Sequence, residues 1–218
     1  MDIDDLDKAF TAVGWESVED VHNAGDKALA ALSDPYVLGG LFARMRTEER
    51  LRRQCERFNL FTKIVLHDSP ETGIRLRLHV FGDQMVEEAH NHRASFIARI
   101  LHGGYRHLLF GSVDDLWSDG VPQALPPRMV HDQYPGHSYT LHHAFVHSTL
   151  AQPNTVSLVI QGPRVRPEFK IIDLNSWAPR TRLGAQEAAG VQEAGESVVS
   201  DQDVDALHRE LLAAGILR

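Results

Sequence analysis

The chain changes from helical to strand periodicity near residue 60. Upstream of this point, apolar residues such as Leu6, Phe10 and Val13 recur every three to four positions, which predicts amphipathic helices. Ser17 is followed within three positions by two acidic residues, a composition typical of a helix N-terminus. We therefore predict that residues 1–58 form a helical cap.

Asp34-Pro35 interrupts the second predicted helix, and a third helix is expected to follow it. This third helix is expected to continue through Leu41 and on to Cys55. Cys55 would then be a buried helical residue.

Beyond residue 60, apolar and polar residues alternate with a period of two. The clearest alternation lies in 74–81, where four aliphatic residues are interleaved with Arg75, Arg77, His79 and Phe81. Strands are predicted at 60–67, 74–81, 95–101, 105–110, 138–147, 155–160 and 168–173. Turn residues rather than helices separate them, which favours an antiparallel sandwich or barrel over 59–178.

The composition changes again after Pro179. Residues 184–195 are rich in Ala, Gly, Gln and Glu and are typical of a linker. Ser200, with Asp203 three residues later, predicts the cap of a closing helix. We predict that 179–218 is a linker with a C-terminal helix, and that the three regions form one compact unit.

The composition is that of a globular protein: of 218 residues, 43% are hydrophobic and 24% are charged. A net charge of −8 argues against nucleic acid or an anionic membrane as the main partner. The single cysteine excludes an internal disulfide and indicates a reducing compartment. The acidic start lacks the features of a signal peptide, so we expect a cytoplasmic location.

The chain contains thirteen histidines, and two of them form the motif His90-Asn91-His92. In a strand, residues two apart point the same way and lie roughly 6.6 Å apart, so these two imidazoles can converge on one ion. His147 is the candidate for a third ligand, and His143, in the same register of the predicted strand, is its rival. Three neutral imidazoles suit Fe(II), Zn, Ni, Mn or Cu.

These residues resemble a known family. The pattern of Gly82, His90-Asn91-His92 and Gly103 resembles the first motif of the cupins, and helices followed by a barrel resemble the cysteine dioxygenase branch. Residues 61–66 and 157–163 are similar to two further segments of that branch. The resemblance implies a mainly β fold, a single cupin (double-stranded β-helix, jelly-roll) barrel, and often a homodimer.

The resemblance also implies a function. His90, His92 and His147 would bind a mononuclear non-haem Fe(II), and the protein would be a metal-dependent dioxygenase that uses O2. Its substrate would be small, anionic and thiol- or amino-acid-like. Lys63 would take the place of the arginine that binds the substrate carboxylate in the family, with Arg77 as the alternative anion-binding group.

Further cavity residues are predicted on the same basis. Phe81 and Gln161 are expected to contact substrate beside Lys63 and Arg77, and His79 and Tyr105 are the candidate proton-transfer groups. Five further histidines are interpreted as structural: His102, His107, His131, His137 and His142. His142 is expected to face the opposite way from His143 and His147.

The chain departs from the family at informative positions. The cross-linking cysteine and tyrosine fall on Ile97 and Gln161, which argues against a normal cysteine dioxygenase. The cupin glutamate ligand falls on Phe96, so the predicted site has three histidines alone. Glu88, on the same side of the strand as His90, is interpreted as supporting the ligands or facing solvent.

Two other functions fit the same residues. One is a cupin lyase or isomerase that uses the metal as a Lewis acid while His79 or Tyr105 moves a proton. The other is a non-catalytic cupin that binds a small ligand.

Overall fold

The computed structural model describes residues 3–83, 85–116, 126–173, 175–183 and 197–218. Its helices are α1 (Asp4–Phe10), α2 (Val18–Leu32), α3 (Pro35–Thr47), α4 (Glu49–Arg52), α5 (Val113–Leu116) and α6 (Asp201–Ala213). Its strands are β1 (Glu56–Arg57), β2 (Phe61–Asp68), β3 (Arg75–Phe81), β4 (Met85–Val86), β5 (Ala89–His90), β6 (Phe96–His102), β7 (Tyr105–Ser112), β8 (Met129–Gln133), β9 (Ser138–Leu141), β10 (Phe145–Ala151), β11 (Val156–Gln161), β12 (Glu168–Ile172), β13 (Pro179–Leu183) and β14 (Ser197–Val198).

Side-chain caps begin the helices where the sequence predicts them. The Ser17 hydroxyl accepts a hydrogen bond from the Asp20 backbone N–H, and Asp34 accepts from two N–H groups at the start of α3. α3 nevertheless ends at Thr47, because Glu48 adopts an extended backbone conformation. The predicted continuous helix to Cys55 is therefore wrong, and this cysteine, although buried, lies after α4.

Two antiparallel sheets form the barrel. The first has the order β14-β1-β2-β3-β11-β6-β9 and the second β13-β12-β5-β10-β7-β8, with β4 also paired to β10. Between β5 and β12 the chain crosses repeatedly from one sheet to the other, as in a jelly roll. The predicted mainly β architecture, with helices at both ends of the chain, is confirmed.

The first sheet is buried on both faces, which explains its composition. Leu76 and Leu78 of β3 lie in one apolar cluster with Leu29 of α2 and other helical residues. Because side chains alternate along a strand, the intervening Arg77 and His79 point the opposite way, into the barrel. The helices thus cover one face of the sheet and leave the other to form a polar cavity.

The predicted strand 138–147 is two strands. β9 pairs with β6 in the first sheet, whereas β10 pairs with β5 and β7 in the second. A turn at 142–144 makes the crossing, and Phe145 donates a backbone hydrogen bond to the His142 carbonyl there. The strand register therefore does not place His143 on the same side as His147.

The C-terminal helix forms as predicted, with a capping box between Ser200 and Asp203. Val204, Leu207 and Leu211 of α6 are buried in the same apolar cluster as the N-terminal helices. The predicted linker at 184–195 lies outside the described residues. Among the described helices, none has the length and apolarity needed to cross a lipid bilayer.

Candidate metal centre

Three histidines converge inside the barrel. His90 on β5 lies opposite His147 on β10 in the antiparallel register, and His92 follows directly after β5. Their candidate ligand nitrogens all lie within 4.8 Å of one another. The Nε2 atoms of His92 and His147 are 2.7 Å apart, so they either share a proton or face one cation. This arrangement could hold a metal ion.

Hydrogen bonds at Nδ1 of two of the rings leave the Nε2 lone pair of each ring directed at the centre. The Nδ1–H of His90 donates to the Glu88 carbonyl at 2.8 Å, which leaves Nε2 as the acceptor atom. Nδ1 of His147 lies 2.8 Å from Nε2 of His107, and in the ligating tautomer it donates to that atom. His107, interpreted as structural from the sequence, is thus a supporting group of the centre.

Burial favours the neutral, metal-binding form of two of these three imidazoles. Burial, with smaller contributions from neighbouring imidazoles, lowers the pKa of His92 and of His147 well below the usual range. Burial and the nearby His131 lower the pKa of His107 to about 4. The donor set, its tautomers and its charge state therefore fit a divalent transition metal.

A cavity of about 440 Å³ extends from the centre. All nine residues that were predicted to form the site line it: Lys63, Arg77, His79, Phe81, His90, His92, Tyr105, His147 and Gln161. They come from both sheets, so only the closed barrel brings them together.

Two cationic side chains enter the cavity in different states. Lys63 is paired with Glu56, and burial followed by the Arg77 charge lowers its pKa to about 8. Burial and Arg75 lower the pKa of Arg77, but a guanidinium remains charged in proteins. The buried Arg77 Nε has no hydrogen-bond partner among the described residues. Arg77 is therefore the better placed group for an external anion.

Gln161 lies beside this arginine. Arg77 is opposite Val159 in the β3–β11 pairing, so Gln161, two residues on, is its diagonal neighbour on the same face. The buried Gln161 Oε1 also lacks a partner among the described residues. An unpaired donor and an unpaired acceptor thus lie side by side, and buried polar groups of this kind call for a ligand.

Neutral groups complete the wall. The Tyr105 hydroxyl donates to Ser157 Oγ at 2.7 Å, and burial raises the pKa of this phenol. Burial, then the charges of Arg77 and Lys63, lower the pKa of His79 well below its usual value, and its Nε2 has no partner in the described part of the chain. Both side chains are therefore in uncharged forms that can exchange a proton with a ligand.

Two neighbouring glutamates occupy different environments. The carboxylate of Glu88 is half-exposed and paired with Arg180, in keeping with the predicted solvent-facing role. The carboxylate of Glu87 enters the cavity, where it lies 3.8 Å from His90 Nε2 and accepts a hydrogen bond from Thr149 Oγ1 at 2.6 Å. The strand periodicity around His90 gave no signal for Glu87, because this residue precedes β5 in a non-strand segment.

A second histidine cluster lies outside this centre. His142 and His143 both direct Nε2 at Glu16, at 2.9 and 3.3 Å. The Ala144 N–H donates to His142 Nδ1 and Arg166 donates to His143 Nδ1, so each Nε2 carries the hydrogen that Glu16 accepts. Each ring nitrogen of the two histidines thus has a hydrogen-bond partner, and we refer to His142, His143 and Glu16 as the clamp.

This clamp corrects two expectations. His143, the predicted rival of His147, is directed at Glu16 instead of the metal centre. His142 was expected to face away from its neighbour, but the turn at 142–144 brings both rings to the same carboxylate.

No protein-family model matches the sequence, and no curated protein matches it. Solved structures with similar barrels include acetylacetone dioxygenase from Acinetobacter johnsonii, with 14% identity over 62% of this chain and 78% of that one, at a TM-score of 0.38. DMSP lyase DddQ from Ruegeria pomeroyi DSS-3 is 15% identical over 51% of each chain, with a TM-score of 0.37. KdgF from Halomonas sp. is 15% identical over 49% of this chain and 83% of that one, with a TM-score of 0.36. At this level of similarity the activity has to be inferred from the side chains of the site.

Proposed function

We propose that this protein is a metal-dependent cupin oxygenase, a non-haem Fe(II) dioxygenase that acts on a small anionic, thiol- or amino-acid-like substrate. The observation that carries the proposal is the convergence of three imidazoles on a cavity that also contains a buried guanidinium. His90, His92 and His147 would hold the ion. When bound, the iron supplies the redox chemistry with O2.

The protein's own residues bind and orient the substrate. Arg77 is assigned to the anionic group, because Lys63 already has Glu56 as its partner. Gln161 Oε1 would accept a hydrogen bond from an amine, thiol or hydroxyl of the same molecule. A substrate with an anion and a neighbouring hydrogen-bond donor would therefore satisfy both unpaired groups at once.

Aromatic side chains form an apolar part of the cavity wall. Phe81 packs between Phe61 and Tyr105, with ring centroids 5.2 and 5.3 Å away, and Phe96 lies 4.8 Å from His92. An apolar wall beside a charged group strengthens the electrostatic attraction between Arg77 and an anion. The volume of about 440 Å³ suits a small molecule rather than a polymer chain.

The test is to purify the protein anaerobically, load it with Fe(II) and follow O2 consumption over a panel of thiols, amino acids and small carboxylic acids. We expect O2 uptake with one of these classes that requires Fe(II) and is lost in His147→Ala. Turnover of a panel compound by the metal-loaded protein without any O2 consumption would overturn the oxygenase proposal.

A lyase or isomerase is the second candidate, and one observation favours it. Tyr105 and His79 are two uncharged proton-transfer groups in the same cavity, as proton abstraction and return require. This activity would proceed with Zn(II) as well as Fe(II) and without O2. Saturable ligand binding without turnover under either condition would instead indicate the non-catalytic cupin.

A further inference from the structure

Glu87 is anchored beside the three histidines by both its backbone and its side chain. Its N–H donates to the Thr149 carbonyl at 2.9 Å, its own carbonyl accepts from the Ser148 hydroxyl, and its Oε2 accepts from Thr149 Oγ1 at 2.6 Å. The side chain is only 16% exposed. The carboxylate is thus held against β10 at the edge of the metal centre.

In the described part of the chain, no lysine or arginine is paired with this carboxylate. Among the described residues, no Lys or Arg nitrogen lies within 4 Å of Glu87, whereas the adjacent Glu88 is paired with Arg180. A largely buried carboxylate without a countercharge is costly. A cation supplied from outside the chain would remove that cost.

The geometry toward His90 indicates where the cation lies. Because His90 Nδ1 donates to the Glu88 carbonyl, Nε2 is the ring atom that can offer a lone pair to a metal, and it lies 3.8 Å from Glu87 Oε1. Two electron-rich atoms then face each other at a distance too long for a hydrogen bond. Metal bonds of about 2.0–2.2 Å to each atom can span this gap, because their sum exceeds the separation.

We propose that Glu87 is a fourth, carboxylate ligand of the metal centre, oriented by the hydroxyl of Thr149. The described ligand atoms that lie within 4.8 Å of one another at this centre are the three imidazole nitrogens, and the Glu87 oxygens are not among them. Glu87 would therefore reach the ion from the side of His90 after a rotation of its side chain. Phe96, whose ring centroid lies 4.8 Å from that of His92, offers no ligand atom. The bound divalent ion would then carry one net positive charge with its protein ligands instead of two.

The inference rests on the metal centre of the proposed function, and a metal titration tests it without any substrate. Co(II) alone is titrated into the metal-free chain and followed by calorimetry and by its visible absorption. Glu87→Gln keeps the shape but removes the charge, and it should weaken Co(II) binding by about 10- to 100-fold and change the absorption spectrum. The matched control is the exposed neighbour, Glu88→Gln, which should bind Co(II) within about twofold of wild type.

Thr149→Val and Thr149→Ser provide a second measurement in case Glu87→Gln does not fold. The valine removes the orienting hydroxyl and should weaken Co(II) binding by about tenfold, whereas the serine restores it. Wild-type affinity and an unchanged spectrum in folded Glu87→Gln, or in Thr149→Val if Glu87→Gln is unfolded, would overturn the assignment. A wild-type chain that binds no Co(II), Fe(II) or Zn(II) would instead overturn the metal centre itself, so the two failures are distinguishable.

Discussion

His90 on β5 lies directly opposite His147 on β10, and a β-bulge between Val146 and His147 shifts the pairing of β10 with β7 at that point. A bulge redirects a side chain without ending the strand. The opposed pair brings two histidines 57 positions apart in the sequence to ring centroids 4.7 Å from each other. The third ring, His92, completes the group from the segment that follows β5.

His147→Ala should sharply lower the amount of bound metal, because it removes one of the three imidazole ligands. His143→Ala should leave the bound metal unchanged, since His143 is directed at Glu16. Metal content after purification, measured by inductively coupled plasma mass spectrometry, checks both. The reverse result, with loss of metal in His143→Ala alone, would show that the third ligand is misassigned.

His107→Phe should weaken Co(II) binding by about 10- to 100-fold, because it removes the acceptor that fixes the tautomer of His147. The control is His131→Phe. His131 is opposite His107 in the β7–β8 pairing but is exposed. Equal affinities in calorimetric titrations of the two variants would rule out a supporting role for His107.

Arg77→Gln should raise the KM for the substrate identified in the panel by about 10- to 100-fold, the equivalent of one hydrogen bond to a charged group. Lys63→Gln should have a smaller effect, because Lys63 is paired with Glu56. Steady-state kinetics of both variants at equal metal occupancy make the comparison. A larger effect of Lys63→Gln would reassign the anion to the lysine.

The metal-free protein should lose stability as the pH falls below about 6.5. The pKa values of His92, His107 and His147 are lowered in the folded state, so between the folded and unfolded values the unfolded chain binds more protons. Each of these histidines contributes a slope of up to about 1.4 kcal/mol per pH unit in that window.

The measurement is the free energy of unfolding by urea in the presence of EDTA, determined about every half pH unit between pH 4.5 and 7.5. His107→Phe removes one of the three groups, so its unfolding free energy should depend less steeply on pH. An identical slope in the variant would show that His107 does not contribute.

The protein should bind one divalent ion per chain at the metal centre and none at the clamp. In the clamp, both Nδ1 atoms accept hydrogen bonds, so both Nε2 atoms carry hydrogens and cannot donate a lone pair to a metal. Glu16→Ala should therefore leave the Co(II) stoichiometry unchanged and cost less than about 1 kcal/mol of stability, because this glutamate is mostly exposed. A second ion that disappears in Glu16→Ala would contradict this assignment of hydrogens.

The features that the sequence determined by itself depend on neighbours along the chain. The caps at Ser17 and Ser200 depend only on residues up to three positions ahead, and both are confirmed. The alternation in 74–81 likewise assigned Arg77 and His79 to the face opposite the aliphatic core. Local geometry dictates each of these outcomes.

The choice between His143 and His147 was decided by tertiary structure. The pattern of 138–147 is compatible with one continuous strand, and only pairing with two different sheets produces the turn at 142–144 that separates the two histidines. A shift of one residue in the strand register moves every side chain to the other face of the sheet. The periodicity within 138–147 therefore could not show which of the two histidines faces the metal centre.

The supporting groups of the metal centre depend on the same pairing. His107 reaches His147, and Thr149 reaches Glu87, because bulge and register align β4, β7 and β10 in the second sheet. Each contact joins residues 40 or more positions apart. The sequence therefore determined the local elements and the His-x-His pair, whereas only the closed barrel decided which other side chains meet it, because strand pairing is set by contacts distant in the chain.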